Sequence, residues 1–87
     1  MPEGKKEIGV VTHFFNDINV AVIELSDTLC KGDKISIEGA TTDLIHQVKS
    51  MEIEHKSVEE AGEGQSIGLK IPKRARVRDV VYKIQNN

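Results

Sequence analysis

Ile8-Gly9-Val10-Val11-Thr12-His13-Phe14-Phe15, then Asn16-Asp17-Ile18-Asn19, then Val20-Ala21-Val22-Ile23-Glu24-Leu25: the reading of this stretch decides the fold. β-Branched and aromatic residues fill both outer runs, a composition that suits a pleated, half-buried surface. In the first run Ile8, Val10, Thr12 and Phe14 alternate with Gly9, Val11, His13 and Phe15. The Asn and Asp residues between the runs favour turn conformations. The stretch therefore reads as two antiparallel strands joined by the four residues Asn16 to Asn19. Neighbouring strand residues point to opposite faces, so one of Phe14 and Phe15 enters the core and the other faces outward.

The same logic extends along the chain. Lys31-Gly32-Asp33 is a turn, because Gly32 can adopt positive φ without steric cost. It delivers Lys34-Ile35-Ser36-Ile37-Glu38, with Ile35 and Ile37 facing inward. A longer strand runs from about Thr42 to Ile53, and its apolar residues change faces after Val48. Either a β-bulge near Lys49-Ser50 or passage of the strand from one sheet to another brings Val48 and Met51 to the same side. Glu54 to Gly64 is polar, with a short helical turn expected around Val58-Glu59-Glu60-Ala61. Ile67, Leu69 and Ile71 share one face of the next strand, which Pro72 ends for lack of a backbone donor. Val80, Tyr82 and Ile84 belong to the last strand, and Gln85-Asn86-Asn87 reads as a frayed end. The expected architecture is all-β: a small, closed or nearly closed, six-stranded antiparallel β-barrel. Closure removes the exposed edges that a small sheet must otherwise protect. Residues 1–87 are expected to form one domain with an ordered core from about 6 to 84.

Bulk properties narrow the functional classes. Cys30 is the single cysteine, so no intrachain disulfide can form, which points to a reducing compartment. The longest apolar run, Val20 to Ile23, is far too short for a membrane span or a leader. A cytoplasmic location and no membrane partner are therefore expected. The net charge of −2 is unevenly spread. Glu52, Glu54, Glu59, Glu60 and Glu63 lie in 52–63 against Lys56 alone, whereas Lys70, Lys73, Arg74, Arg76 and Arg78 crowd 70–78 without an acid.

The order of turns and strands resembles domain II of the translational GTPases, the barrel domain of elongation factor Tu and its relatives. Four pieces between about Ile8 and Ile84 carry the resemblance. Ile8-Gly9-Val10-Val11 is similar to the family's opening strand, and Leu29-Cys30-Lys31-Gly32-Asp33-Lys34-Ile35 to its L-x-x-G-D-x-I turn. Val48-Lys49-Ser50-Met51 is similar to its V-x-S-I strand. Val58-Glu59-Glu60-Ala61 with Gly64-Gln65-Ser66-Ile67-Gly68-Leu69 is similar to its v-x-x-A-x-x-G-x-x-V-G-L segment. A similar small barrel is appended to U32-peptidase-like proteins, some of which act on RNA. Two positions depart from the translational pattern: Gln65 stands where many relatives carry an acid, and Arg78-Asp79 stands where the family has G-D. The chain has no G-x-x-x-x-G-K-S/T run to cradle phosphates, so GTP hydrolysis is not expected.

The resemblance implies a stand-alone, translation-factor-like binding module and no enzyme. Lys70, Lys73, Arg74, Arg76 and Arg78 are its candidate anion or nucleic-acid site, contacting RNA or a ribonucleoprotein through phosphates. The simpler reading of this run is a solvated loop that complements the acidic 52–63 segment. The alternative function is a protein-interaction module, docking on a partner chain or on itself through Phe14 or Phe15. No catalytic residue, metal site or cofactor is expected. His13, His46 and His55 lack zinc-ligand spacing, and Cys30 has no histidine paired with it in any recognisable pattern. Glu59, Glu60 and Glu63 lie in a polar segment where nothing desolvates them for acid–base work.

Overall fold

In the computed structural model, which describes residues 4–84, the opening stretch forms β1 (Lys5–Phe15) and β2 (Val20–Leu25). Phe15 pairs with Val20, so Asn16 to Asn19 is the connecting loop. β1 does not alternate regularly. Its register slips between Glu7 and Gly9 against the last strand, and between Val11 and His13 against β2. Each slip inserts one residue and turns the strand. The inward side chains are consequently Ile8, Val11 and Phe14, three apart, while Thr12 is exposed.

The remaining strands are β3 (Leu29–Cys30), β4 (Lys34–Glu38), β5 (Asp43–Gln47), β6 (Met51–Ile53), β7 (Lys56–Val58), β8 (Glu60–Ala61), β9 (Ser66–Lys70) and β10 (Val80–Ile84). Eight of them form one antiparallel sheet in the order β5-β4-β10-β1-β2-β9-β6-β7, and β3 pairs with β8 in a small second sheet. The helical turn expected over Val58 to Ala61 is replaced by the strands β7 and β8. Their partners are β6 and β3, so tertiary pairing overrides a weak local helical preference.

β5 and β6 lie towards opposite ends of the sheet order, yet only Val48, Lys49 and Ser50 separate them. The segment leaves β4 at one end and joins β9 at the other. This passage, of the two devices, turns both Val48 and Met51 inward, each 1% exposed. The crossing is pinned by the Lys31-Gly32-Asp33 turn. Gly32 N–H donates to the Val48 carbonyl at 2.8 Å, and Val48 N–H donates to the Asp33 carbonyl at 2.8 Å. Gly32 has φ 97°, a setting that glycine adopts without the Cβ penalty.

Ile8, Ile23, Leu29, Ile35, Ile37, Met51, Ile67, Leu69 and Val81 fill the core. Burying each such side chain contributes roughly 1.5–3 kcal/mol. In β10 the fully inward residue is Val81, with Val80, Tyr82 and Ile84 half-buried. Among the described residues no helix is long and apolar enough to cross a membrane. Gln85-Asn86-Asn87 lies outside the described residues.

Candidate functional site

Two surfaces collect the residues that sequence singled out. The first is the loop between β9 and β10. Its backbone is tied down at three places. Ile71 N–H donates to the Asn19 carbonyl at 3.0 Å, Ala75 is buried in the core, and Arg78 N–H donates to the Val11 carbonyl at 2.7 Å. The buried Asp79 carboxylate accepts the Arg76 N–H at 2.8 Å and closes the last turn. Arg78 sits at φ 82°, so the position where the resembling family has glycine is left-handed here as well, with arginine bearing the cost. Gly39 makes room for Asp79: a Cβ on residue 39 would lie 2.0 Å from the Asp79 Oδ1.

This anchoring leaves Lys70, Lys73, Arg74, Arg76 and Arg78 exposed. None makes an ion pair among the described residues; the ion pairs there are Lys5–Glu38, Lys6–Asp27, Lys31–Glu59 and Lys83–Asp33. The acidic 52–63 segment therefore does not neutralise the loop through direct pairs. Three of the five cations border two separate shallow clefts. Arg74 and Arg76 border one with Phe14, Asn16, Ala75 and Val77, while Lys70 borders another with His46, Lys49 and Ile71. In the second cleft burial, helped by Lys49, pushes the His46 imidazole below its ordinary range.

The second surface is a groove across β1, β2, β9 and β6. Phe14 packs on the core, whereas Phe15 is 42% exposed, as the two-faced strand requires. Phe15 stacks on His13 with ring centroids 5.0 Å apart. The strand pairings place His13, Val22, Gly68, Glu52 and Ser57 in one row across five strands. Gly68 leaves a trough at the middle of that row. Phe15, Ile18, Val20, Val22 and Gly68 form its apolar surface, and Glu52, Glu54 and His55 its rim, around about 240 Å³. Ile18, on the hairpin loop, is 55% exposed. Sequence reasoning found Phe15 but missed the groove, which is assembled from three separate stretches, 15–22, 52–55 and 68. The one local signal was Gly68, a small residue at the centre of a strand.

Cys30 lies in β3, where burial raises its thiol pKa and the charges of Glu60 and Asp33 add to the shift. Its thiolate is thus disfavoured, the opposite of an activated nucleophile. Glu59 pairs with Lys31 at 3.8 Å, and Glu60 and Glu63 are exposed. Among the described residues no three His, Cys, Asp or Glu side chains come together to hold a metal ion.

The fold is shared with solved structures. It superposes on the C-terminal domain of a Geobacillus thermoleovorans protein assigned as a U32 peptidase, with TM-score 0.83 and 13% identity over 87% of this chain and 96% of that domain. A second structure of that domain gives TM-score 0.82 at 14% identity, covering 87% of this chain and 89% of that one. By sequence the chain is similar to proteins named protease and collagenase. An uncharacterized protease of Methanocaldococcus jannaschii is 46% identical over 79 residues, covering 90% of this chain and 19% of the protease. A collagenase of Porphyromonas gingivalis is 35% identical over 81 residues, covering 91% of this chain and 22% of the collagenase. The chain thus spans about a fifth of the length of the curated relatives it matches. No protein-family model matches it.

These similarities correct three expectations. The resemblance to domain II of elongation factor Tu is not upheld: the solved structures that share this fold are of a U32 peptidase's C-terminal domain. The stand-alone translation-factor-like module contacting RNA is overturned by relatives named protease and collagenase. The expectation of no enzyme falls for the same reason. The physical cause of the error lies in the motifs. Gly32 and Gly64 are both left-handed, at φ 97° and 86°, and Asp33 accepts the Cys30 N–H at 2.9 Å. Gln65 Oε1 accepts the Gly62 N–H at 2.7 Å, closing the same turn without an acid. These residues serve the turns of the fold, and any family sharing the fold needs them.

Proposed function

We propose that this chain is the β-barrel domain of a U32-type peptidase and that it serves peptide-bond hydrolysis by holding polypeptide for the enzyme. The observation that carries this reading is the agreement of sequence and fold: 46% identity to a protease over 90% of the chain, on a backbone shared with a U32 C-terminal domain. In this reading residues 1–87 make one domain whose sheet closes when the 43–53 segment joins β4 to β9. The Cα radius of gyration of 11.6 Å supports a single compact unit, for which about 12 Å is expected. The basic loop is the face that meets carboxylates, because its cations are exposed and have no internal partners among the described residues. The cytosolic placement rests on Cys30, a lone thiol.

The test is a domain exchange. The matching segment of the Porphyromonas gingivalis collagenase is deleted, or replaced by this chain, and gelatin cleavage is measured. Deletion is expected to lower cleavage and the replacement to restore it. Unchanged cleavage after deletion, or a replacement no better than deletion, overturns the reading. Protection of the Gly32 and Val48 amides from hydrogen exchange to the level of the core strands checks the closure.

A further inference from the structure

The groove at Gly68 is smaller than pockets for drug-sized ligands, which enclose about 300–1,000 Å³. Its 240 Å³ suits one or two side chains of an extended peptide. Its lining has two characters. Phe15, Ile18, Val20 and Val22 offer apolar contact, and Phe15 and Ile18 stay well exposed. Glu52 and Glu54 border the same space, and neither makes an ion pair among the described residues. Lys70, across from Val20, lines an adjoining cleft with Val20, Glu52 and Gly68, and does not pair with Glu52 within 4.0 Å.

The rim is also held at a cost. Ile53 pairs with Lys56, so Glu54 and His55 are the two central residues of a hairpin turn. Both are left-handed, at φ 50° and 67°. Turns of this kind favour Asn-Gly, because a Cβ at positive φ crowds the following carbonyl. The chain instead places an acid and an imidazole there, at the mouth of the groove. Strain retained at such a place is a pointer to use.

We propose that this groove binds a polypeptide segment in which an apolar side chain is flanked by lysine or arginine. The apolar side chain enters the trough over Gly68, against Val20 and Val22. The flanking cations meet Glu52 and Glu54, and one of them lies on the ring of Phe15. Gly68 is the selective element. A Cβ there meets only Val20 Cγ1 at 3.5 Å and the Glu52 carbonyl at 4.0 Å, so a larger residue fills the trough without straining the sheet. The inference deepens the peptidase reading only in naming the class of polypeptide held; the binding belongs to this chain.

The probe is a labelled heptapeptide of alternating leucine and lysine, titrated into the purified chain by fluorescence anisotropy. A leucine–glutamate heptapeptide and a serine–lysine heptapeptide are the controls. The leucine–lysine peptide is expected to bind at least tenfold more tightly than either control. Gly68→Leu is expected to abolish binding, and Glu52→Gln with Glu54→Gln to weaken it about fivefold, the range for two exposed charge pairs. Circular dichroism and thermal unfolding of each variant establish that it is folded, and Gly68→Ala, which fits the sheet, gives an intermediate affinity. Equal binding of all three peptides, or undiminished binding by folded Gly68→Leu, overturns the proposal. Concentration-dependent dimerisation that Gly68→Leu removes overturns it in favour of a second copy, whose Arg76-Val77-Arg78 has the same apolar-between-cations pattern. Because no peptidase is present, failure here leaves the domain exchange to decide the broader reading separately.

Discussion

The basic loop and the Gly68 groove are built in opposite ways. The loop is contiguous in sequence, carries cations without internal partners among the described residues, and is held by two backbone hydrogen bonds, the buried Ala75 and the Asp79 carboxylate. The groove is dispersed in sequence, and its floor is the sheet itself: inward-facing Ile67 and Leu69 flank Gly68 in β9 and are fully buried beneath it. Charge placed on a tethered loop can be rearranged without disturbing the core. A groove whose floor is the core side of the same strands cannot change shape unless the domain does.

Three experiments sharpen or break this contrast. The largest effect is expected for Leu69→Ala, which empties the layer beneath the groove. Such truncations cost about 2–5 kcal/mol. Urea unfolding should show a lower midpoint with an unchanged slope, and the loop and groove should lose structure together. A loss confined to the groove would contradict the shared floor. Asp79→Ala is expected to cost less, about 1–3 kcal/mol, because the Arg76 N–H loses its partner. Here the amides of Arg76 and Arg78 should exchange faster while those of Val22 and Gly68 keep their protection. Equal acceleration at both places would show that the loop is not separately tethered.

The smallest effect concerns His46, beside Lys70 at the foot of the loop. Burial holds its imidazole below the ordinary 6.5, so the folded state takes up its proton later than the unfolded chain does. The stability this neutral histidine supports is complete above pH 6.5 and is lost as pH falls from there through the folded value. The melting temperature should therefore fall less between pH 7 and pH 5 in His46→Gln than in the natural chain. A steeper fall in the variant would mean that the imidazole is charged and favourably held.

What the sequence made legible follows the same division. Local geometry was readable wherever one residue type meets one constraint. Asn16 to Asn19 form the hairpin loop, Gly32 takes the left-handed turn, and Ile67, Leu69 and Ile71 point inward. β7 and β8 were not readable, because Lys56-Ser57-Val58 and Glu60-Ala61 are too short to show a period and depend on distant partners. The bulges of β1 were hidden for a related reason: a slip in register is set by the neighbouring strands and leaves no mark on the residue sequence. The basic run was legible as composition, yet the division of three of its cations between two clefts was not. The groove was illegible as a whole, since pairing His13, Val22, Gly68 and Glu52 requires the sheet order.

The position of β10 has a consequence for the making of the protein. Lys5 of the first strand pairs with Ile84 of the last, and β10 also pairs with β4 along its whole length. The middle of the sheet is therefore the last part to be synthesised. Until residue 84 has left the ribosome, β1 and β4 each present an open edge of unpaired amides and carbonyls, the kind of edge that recruits other strands. Pairing over such separation also slows the search for the native arrangement. A nascent chain held short of β10 should remain sensitive to protease and to aggregation, and release of the last strand should convert it to the protected form in one step.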